Sequence, residues 1–123
     1  MKVMIVDDHV DMRRILNMVI SNSFSIPLDI LECESGEDAV KKYKEFIPDV
    51  VFMDIELKKM DGFEATSLIR EEDSKAKIIF VSSNDTANFR AKAKELNATG
   101  FVSKSNLLEI APILSTLINK QDK

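Results

Sequence analysis

The chain has one cysteine, one histidine, one tyrosine and no tryptophan in 123 residues. Cys33 therefore has no partner for an internal disulfide, and within Leu28-Asp29-Ile30-Leu31-Glu32-Cys33 it reads as a strand residue acting as a small buried hydrophobe. No apolar run approaches the roughly 20 residues that span a bilayer, and Met1-Lys2 leads into a strand with no signal-peptide pattern. A cytoplasmic protein without a membrane partner is the expectation. Basic residues are not in excess: the net charge is −4, which argues against nucleic acid as a direct partner, since phosphate backbones demand a basic stripe. The sequence has no repeat, low-complexity tract or linker, and its length suits one domain spanning residues 1–123. What it does have is 45% hydrophobic and 31% charged residues, an ordinary globular balance.

Those hydrophobic residues fall into alternating strand and helix patterns. Buried-strand runs are Lys2-Val3-Met4-Ile5-Val6-Asp7-Asp8, Asp49-Val50-Val51-Phe52-Met53-Asp54, Lys77-Ile78-Ile79-Phe80-Val81-Ser82 and Gly100-Phe101-Val102-Ser103-Lys104. Leu28 to Glu32 alternates and reads as an exposed strand at the sheet's edge. Between the strands, Met12, Ile15, Leu16, Val19 and Ile20 recur at helical spacing until Ser21 to Pro27 breaks the pattern. Ser35 is placed to cap a helix that carries Ala39, Val40 and Tyr43 inward and ends at Pro48. Met60-Asp61-Gly62 starts a helix with Ala65, Leu68 and Ile69 facing in. Asp85 to Asn97 is helical but weakly amphipathic, with Arg90, Lys92 and Lys94 among alanines. Leu107, Leu108, Ile110, Ala111, Leu114, Leu117 and Ile118 form the last apolar face. Pro112 interrupts it, so a short turn followed by a kinked or restarted helix is predicted, with Lys120 to Lys123 fraying. Right-handed crossovers between parallel strands then imply a three-layer α/β/α sandwich.

Several strands end in charged groups: Asp7-Asp8 after the first, Asp54 on the third and Lys104 on the fifth. Parallel strands bring these to the carboxyl edge of the sheet, where open α/β sheets place their ligands. Clustered carboxylates repel, and a hard cation held by oxygens, Mg²⁺ above all, relieves them. Asp54 facing such an ion is a candidate phosphoryl acceptor. His9 follows the acidic pair, but at the exposed start of the first helix and beside an oxygen-preferring cation it reads as a surface residue and not a ligand. The six methionines read as core filler, Met53 included.

The ordered set of acidic pair, central aspartate, Ser82 and Lys104 resembles the response regulator receiver domain of two-component signalling. Met53-Asp54-Ile55-Glu56-Leu57-Lys58-Lys59-Met60-Asp61-Gly62 and Thr99-Gly100-Phe101-Val102-Ser103-Lys104 extend the likeness over essentially the whole chain. The resemblance implies a flavodoxin-like, five-stranded parallel sheet in the order 2-1-3-4-5. It implies that Asp54 takes a phosphoryl group from a phosphohistidine on a sensor histidine kinase or a histidine phosphotransfer protein. It further implies that Asp8 and Asp54 ligate Mg²⁺, for which Mn²⁺ substitutes, with Asp7 acting largely through water and Glu56 through its main-chain carbonyl. Ser82 and Lys104 would bind phosphoryl oxygens, Phe101 would couple to the switch, and Glu56 and Asn84 would tune the lifetime of the phosphoryl group. The face of the fourth helix, fifth strand and fifth helix would meet a downstream protein target, and the chain would catalyse only its own phosphorylation and dephosphorylation.

Two departures stand out. Lys58 occupies a position usually held by proline, which predicts a more mobile loop, and Ser105 follows Lys104 where proline is frequent, which predicts a trans bond. Alternative readings are a receiver cut from a longer DNA-binding transcription regulator and a Mg²⁺-dependent phosphatase with an aspartyl-phosphate intermediate. A flavin carrier of the same fold is disfavoured by the acidic edge and the absence of tryptophan.

Overall fold

A computed structural model describes residues 1–121. Its elements alternate as β1 (Lys2–Val6), α1 (Val10–Asn22), β2 (Asp29–Cys33), α2 (Gly36–Phe46), β3 (Val50–Asp54), α3 (Gly62–Glu72), β4 (Ile78–Ser82), α4 (Ala87–Glu95), β5 (Gly100–Ser103) and α5 (Ile110–Gln121). A single 3-10 turn, Leu107–Glu109, precedes α5. All strands pair in parallel, in the order β2-β1-β3-β4-β5. The predicted α/β/α sandwich and strand order are the ones observed.

Side-chain alternation along each strand divides the core between the two faces of the sheet. Val3 and Ile5, Val50 and Phe52, and Ile79 and Val81 point to the face covered by Leu16 and Ile20 of α1 and by Ile110, Leu114 and Leu117 of α5. Met4 and Val6, Val51 and Met53, and Ile78 and Phe80 meet Ala39, Tyr43, Phe63, Ala65, Ile69 and Ala93 from α2, α3 and α4. Every residue of β3 and β4 is buried, whereas β2 at the edge is mostly accessible, as its alternating sequence requires. Burying each large apolar side chain contributes about 1.5–3 kcal/mol. The centre of the sheet is therefore a rigid platform for whatever its strand ends carry.

Helix starts follow local chemistry. Ser35 Oγ accepts the Asp38 amide (3.0 Å), Asp61 Oδ1 the Glu64 amide (2.9 Å) and Thr86 Oγ1 the Phe89 amide (3.1 Å), each satisfying a first-turn donor. Before Pro48, Ile47 turns left-handed (φ 48°) and terminates α2. The 3-10 turn absorbs the conflict at Pro112, which lies in the first turn of α5 and has no intrahelical N–H bond to lose.

Three expectations are corrected. Ile15 is 45% exposed, off the inward face it was predicted to share with Leu16 and Ile20, and Met18 is 58% exposed, so that methionine is not core filler. Leu108 is 84% exposed because the 3-10 turn advances three residues per turn and throws its side chain outward. The helix α5 continues through Lys120 and Gln121, and the remainder of the predicted frayed tail lies outside the described residues. Among the described residues no peptide bond is cis, as expected at Ser105.

Candidate functional site

The carboxyl edge of the sheet gathers the charged groups through backbone register. Asp7 directly follows β1, and its amide donates to the Cys33 carbonyl (3.1 Å), extending the β1–β2 ladder by one residue. Asp54 is the last residue of β3 and aligns with Val81 on β4, so Ser82 ends the neighbouring strand one step later. The Lys104 amide donates to the Ser82 carbonyl (2.9 Å), fixing the lysine where β5 leaves the sheet. Backbone pairing alone thus delivers four functional groups to adjacent positions.

Their side chains converge on the lysine. Lys104 Nζ is 3.0 Å from Asp7 Oδ2 and 3.4 Å from Asp54 Oδ2. Asp7 is fully buried and Asp54 is 4% exposed. Burial and, after it, the Asp7 carboxylate push the Asp54 carboxyl above its usual range, while Lys104 and the Glu56 amide pull against that rise. Desolvation is also the largest influence on Lys104 and lowers its pKa, but the Asp7 and Asp54 carboxylates together outweigh it and raise the ammonium. One cation facing two buried anions is an incomplete balance.

The same deficit appears in the hydrogen bonding. Asp7 Oδ2 and Asp8 Oδ1 are buried without a hydrogen bond. Lys104 meets Asp7 Oδ2 at 3.0 Å, so of these two oxygens it is Asp8 Oδ1 that has no ammonium beside it. Three carboxylates against one ammonium leave this edge acidic, which fits a hard divalent cation. Asp7 and Asp8 fit it most directly, and Asp54 adjoins Asp7 through their shared lysine.

Ser82 is fully buried, and its Oγ accepts the Asn84 amide (3.0 Å). Glu56 is exposed, and its Oε1 accepts from Asn84 Nδ2 (2.5 Å) and Ser83 Oγ (3.5 Å). The residues two beyond Asp54 and two beyond Ser82 are therefore in direct contact across the mouth of the site. Phe101 lies a strand away, half-buried against the α2–α3–α4 core, with the Arg90 guanidinium 4.6 Å over its ring. Asp85 pairs with the same guanidinium. Lys92 lies 5.2 Å from the Phe63 ring, so two of the three basic residues noted on α4 are engaged within the protein.

Sequence reading missed what His9 touches. As predicted, the residue sits at the N-terminus of α1 with its side chain 73% exposed, but its Nδ1 is 3.3 Å from Asp7 Oδ1 and 2.9 Å from Asp8 Oδ1. The His9 amide donates to Asp7 Oδ1 (2.9 Å), which folds the ring back toward the acidic pair. The only hint in the sequence was adjacency.

The family model described as "Response regulator receiver domain" matches residues 3–111. The chain belongs to that family. A chemotaxis protein CheY of Halobacterium salinarum is 40% identical over 103 residues, covering 84% of this chain and 83% of that one. A protein-glutamate methylesterase/protein-glutamine glutaminase of Syntrophomonas wolfei is 32% identical over 123 residues, 97% of this chain but 35% of the relative. Among solved structures, the response regulator domain of Thermotoga maritima CheB superposes with a TM-score of 0.82 at 27% identity, covering 100% of this chain and 97% of that chain. Receiver domains typically bind Mg²⁺ through acidic residues, and the receiver described here has an acidic pair at the corresponding sheet edge, with one buried oxygen of each residue lacking a hydrogen bond. Among the described residues no helix is long and apolar enough to cross a membrane.

Proposed function

We propose that Asp54 is the phosphoryl acceptor of this receiver and that modification of Asp54 switches a protein-binding face. The observation that carries this reading is the pairing of one ammonium, Lys104, with two buried carboxylates, Asp54 and Asp7, at a single strand edge. An Asp54 carboxylate oxygen attacks the phosphorus of a phosphohistidine in line. The P–N bond breaks, its electron pair returns to the donor imidazole, and an acyl phosphate remains on Asp54. A Mg²⁺ or Mn²⁺ ion held by Asp7, Asp8, Asp54 and the Glu56 carbonyl would neutralise the phosphoryl oxygens.

The chain's own groups do the rest. Lys104, already drawn toward Asp54, pairs with a phosphoryl oxygen once the acceptor carries nearly two negative charges. Ser82 exchanges its bond with the Asn84 amide for another phosphoryl oxygen. The Glu56–Asn84 contact screens the acyl phosphate from water and sets its lifetime. Phe101 carries the rearrangement to the face of α4, β5 and α5, where a downstream protein prefers the phosphorylated state. The donor is a cytoplasmic sensor histidine kinase or histidine phosphotransfer protein.

A second reading rests on the methylesterase relative, which is nearly three times the matched length: the same switch serving as one unit of a larger regulator, an effector enzyme or a DNA-binding one. Both readings share the acceptor chemistry. The protein is incubated with Mg²⁺ and acetyl phosphate, and the intact mass of wild type and Asp54→Asn is compared. A phosphoryl adduct on wild type alone, dependent on Mg²⁺, is expected. An equal adduct on Asp54→Asn, or none on folded, metal-bound wild type, refutes the assignment. Steady turnover of a small phosphate ester would instead restore the phosphatase alternative.

A further inference from the structure

We infer that Arg13 is a positioning residue of the acceptor site: by holding the Asp7 carbonyl, its guanidinium sets the turn from which the Asp7 and Asp8 carboxylates project. The inference rests on the proposed acceptor chemistry and adds to it a residue from outside the sheet edge. The β1–β2 ladder reaches Asp7 through its amide, which donates to the Cys33 carbonyl (3.1 Å). The carbonyl of the same residue lies beyond the strand and accepts instead from Arg13 Nη1 (2.7 Å). That carbonyl shares one rigid plane with the Asp8 amide, so its direction fixes where the chain goes next and where Asp8 stands. The Asp7 side chain is tied separately: Oδ1 accepts the His9 amide (2.9 Å) and Oδ2 lies 3.0 Å from Lys104 Nζ. Arg13 thus orients the peptide that joins the two acidic residues.

The arginine is itself fixed. Its side chain is 13% exposed, its amide donates to the His9 carbonyl (3.1 Å), and its Nε meets Glu32 Oε1 at 3.1 Å. Glu32 stands on β2 beside Ile5, and its other oxygen accepts from Asn17 Nδ2, one turn further along α1 (3.4 Å). A planar fork of donors meets a carboxylate on one strand and a carbonyl at the end of the next, which a single ammonium does not reproduce. A tie between α1 and β2 needs Glu32 alone, yet the bond to Asp7 is the shorter of the two and is charge-assisted. Charge and position also act in opposite directions. A guanidinium beside the acidic edge repels a cation, so by charge alone its loss tightens Mg²⁺ binding. By position its loss frees the Asp7–Asp8 peptide to turn, and binding weakens.

Mg²⁺ is titrated by calorimetry into wild type, Arg13→Met, Arg13→Lys and Glu32→Ala, with folding checked by urea unfolding. Glu32→Ala breaks the tie to β2 and leaves the Asp7 bond in place. The Mg²⁺ dissociation constant is expected to rise at least about tenfold in Arg13→Met. It is expected to rise at least about fivefold in Arg13→Lys, which keeps the charge but not the fork, and less than about threefold in Glu32→Ala. The amide nitrogen resonance of Asp8 reports a donor on the Asp7 carbonyl, and is expected to move in the Arg13 variants and not in Glu32→Ala. Arg13→Lys carries the test if Arg13→Met does not fold. Equal or tighter Mg²⁺ binding by the folded Arg13 variants, or equal weakening in Glu32→Ala, overturns the role of Arg13. If wild type neither binds Mg²⁺ nor forms the acetyl phosphate adduct, the acceptor reading fails and the inference with it. Wild type that does both, beside Arg13 variants that bind as tightly, loses only the inference.

Discussion

Gly62 holds the acceptor strand and α3 closer together than any other residue type permits. A β-carbon built on Gly62 would lie 2.1 Å from the Asp54 carbonyl oxygen, 2.9 Å from Ile55 Cα and 3.0 Å from the Asp54 carbonyl carbon. Ordinary contact begins at 3.4 Å, so the added carbon intrudes 1.3 Å on the closest atom. All three obstructing atoms are backbone, and the Gly62 amide donates to the Ile55 carbonyl (2.8 Å), which stops the loop from opening freely. Gly36 is less crowded, with the Met60 carbonyl oxygen at 2.9 Å and Met60 Cγ at 3.3 Å. At Gly100 the nearest atom is Ile113 Cδ1 at 3.2 Å, the tip of a flexible side chain. Overpacking costs about 1–3 kcal/mol, and replacing glycine by alanine returns about 0.4–1 kcal/mol by restricting the unfolded chain. Gly62→Ala should therefore lose about 2 kcal/mol, Gly36→Ala about 1 kcal/mol, and Gly100→Ala should be near neutral. Urea unfolding of the three variants measures the order directly. Gly62→Ala as stable as Gly100→Ala would refute the argument. Because two of the three obstructing atoms belong to Asp54 itself, Gly62→Ala should also slow adduct formation with acetyl phosphate more than the other two.

Asp54→Asn should stabilise the cation-free protein at pH 7. Burial and the Asp7 carboxylate raise the Asp54 pKa in the fold, so ionisation costs stability as pH rises above the ordinary carboxylate value of about 3.9, in full once above the raised value. Chemical unfolding at pH 7 and below pH 4 checks the sign: the advantage of Asp54→Asn should shrink on acidification, and a constant advantage would contradict the linkage. Lys104→Met strips the counter-charge from Asp7 and Asp54 and should cost about 2 kcal/mol at pH 7, less than a fully buried pair because Lys104 is 19% exposed. Adding Asp54→Asn should restore part of that loss, and a strictly additive double variant would show that the ammonium does not balance Asp54.

Legibility in the sequence followed the physics that fixed each feature. Strands buried on both faces announce themselves as apolar runs, and a parallel sheet then fixes which residues stand at its carboxyl edge. Asp54 and Lys104 were identifiable because each closes such a run. Helical faces were less legible. Leu16 and Ile20 are buried while Val10, Ile15 and Met18 on the same helix are exposed, since α1 has more apolar residues than one sheet face can cover. Periodicity locates an apolar arc but does not say which part of it meets the core. Leu108 failed for a different reason: a 3-10 turn changes the phase of the repeat just before α5 begins.

Contacts between side chains on different elements were illegible altogether. That Glu56 and Asn84 touch depends on the lateral spacing of β3 and β4, which register supplies and sequence does not. His9 is the sharper case. Its exposure was predictable from its place at the start of α1, and exposure is what argued against a ligand role. Yet an exposed ring is free to fold back, and the Asp7 carboxylate holds the His9 amide so that it does. The sheet edge therefore has two parts with different origins. Asp54, Ser82 and Lys104 are held by strand pairing, which any chain with this sheet must reproduce. The acidic pair and its histidine are held by a turn just outside the ladder, which the His9 amide closes onto Asp7 and which strand pairing does not dictate.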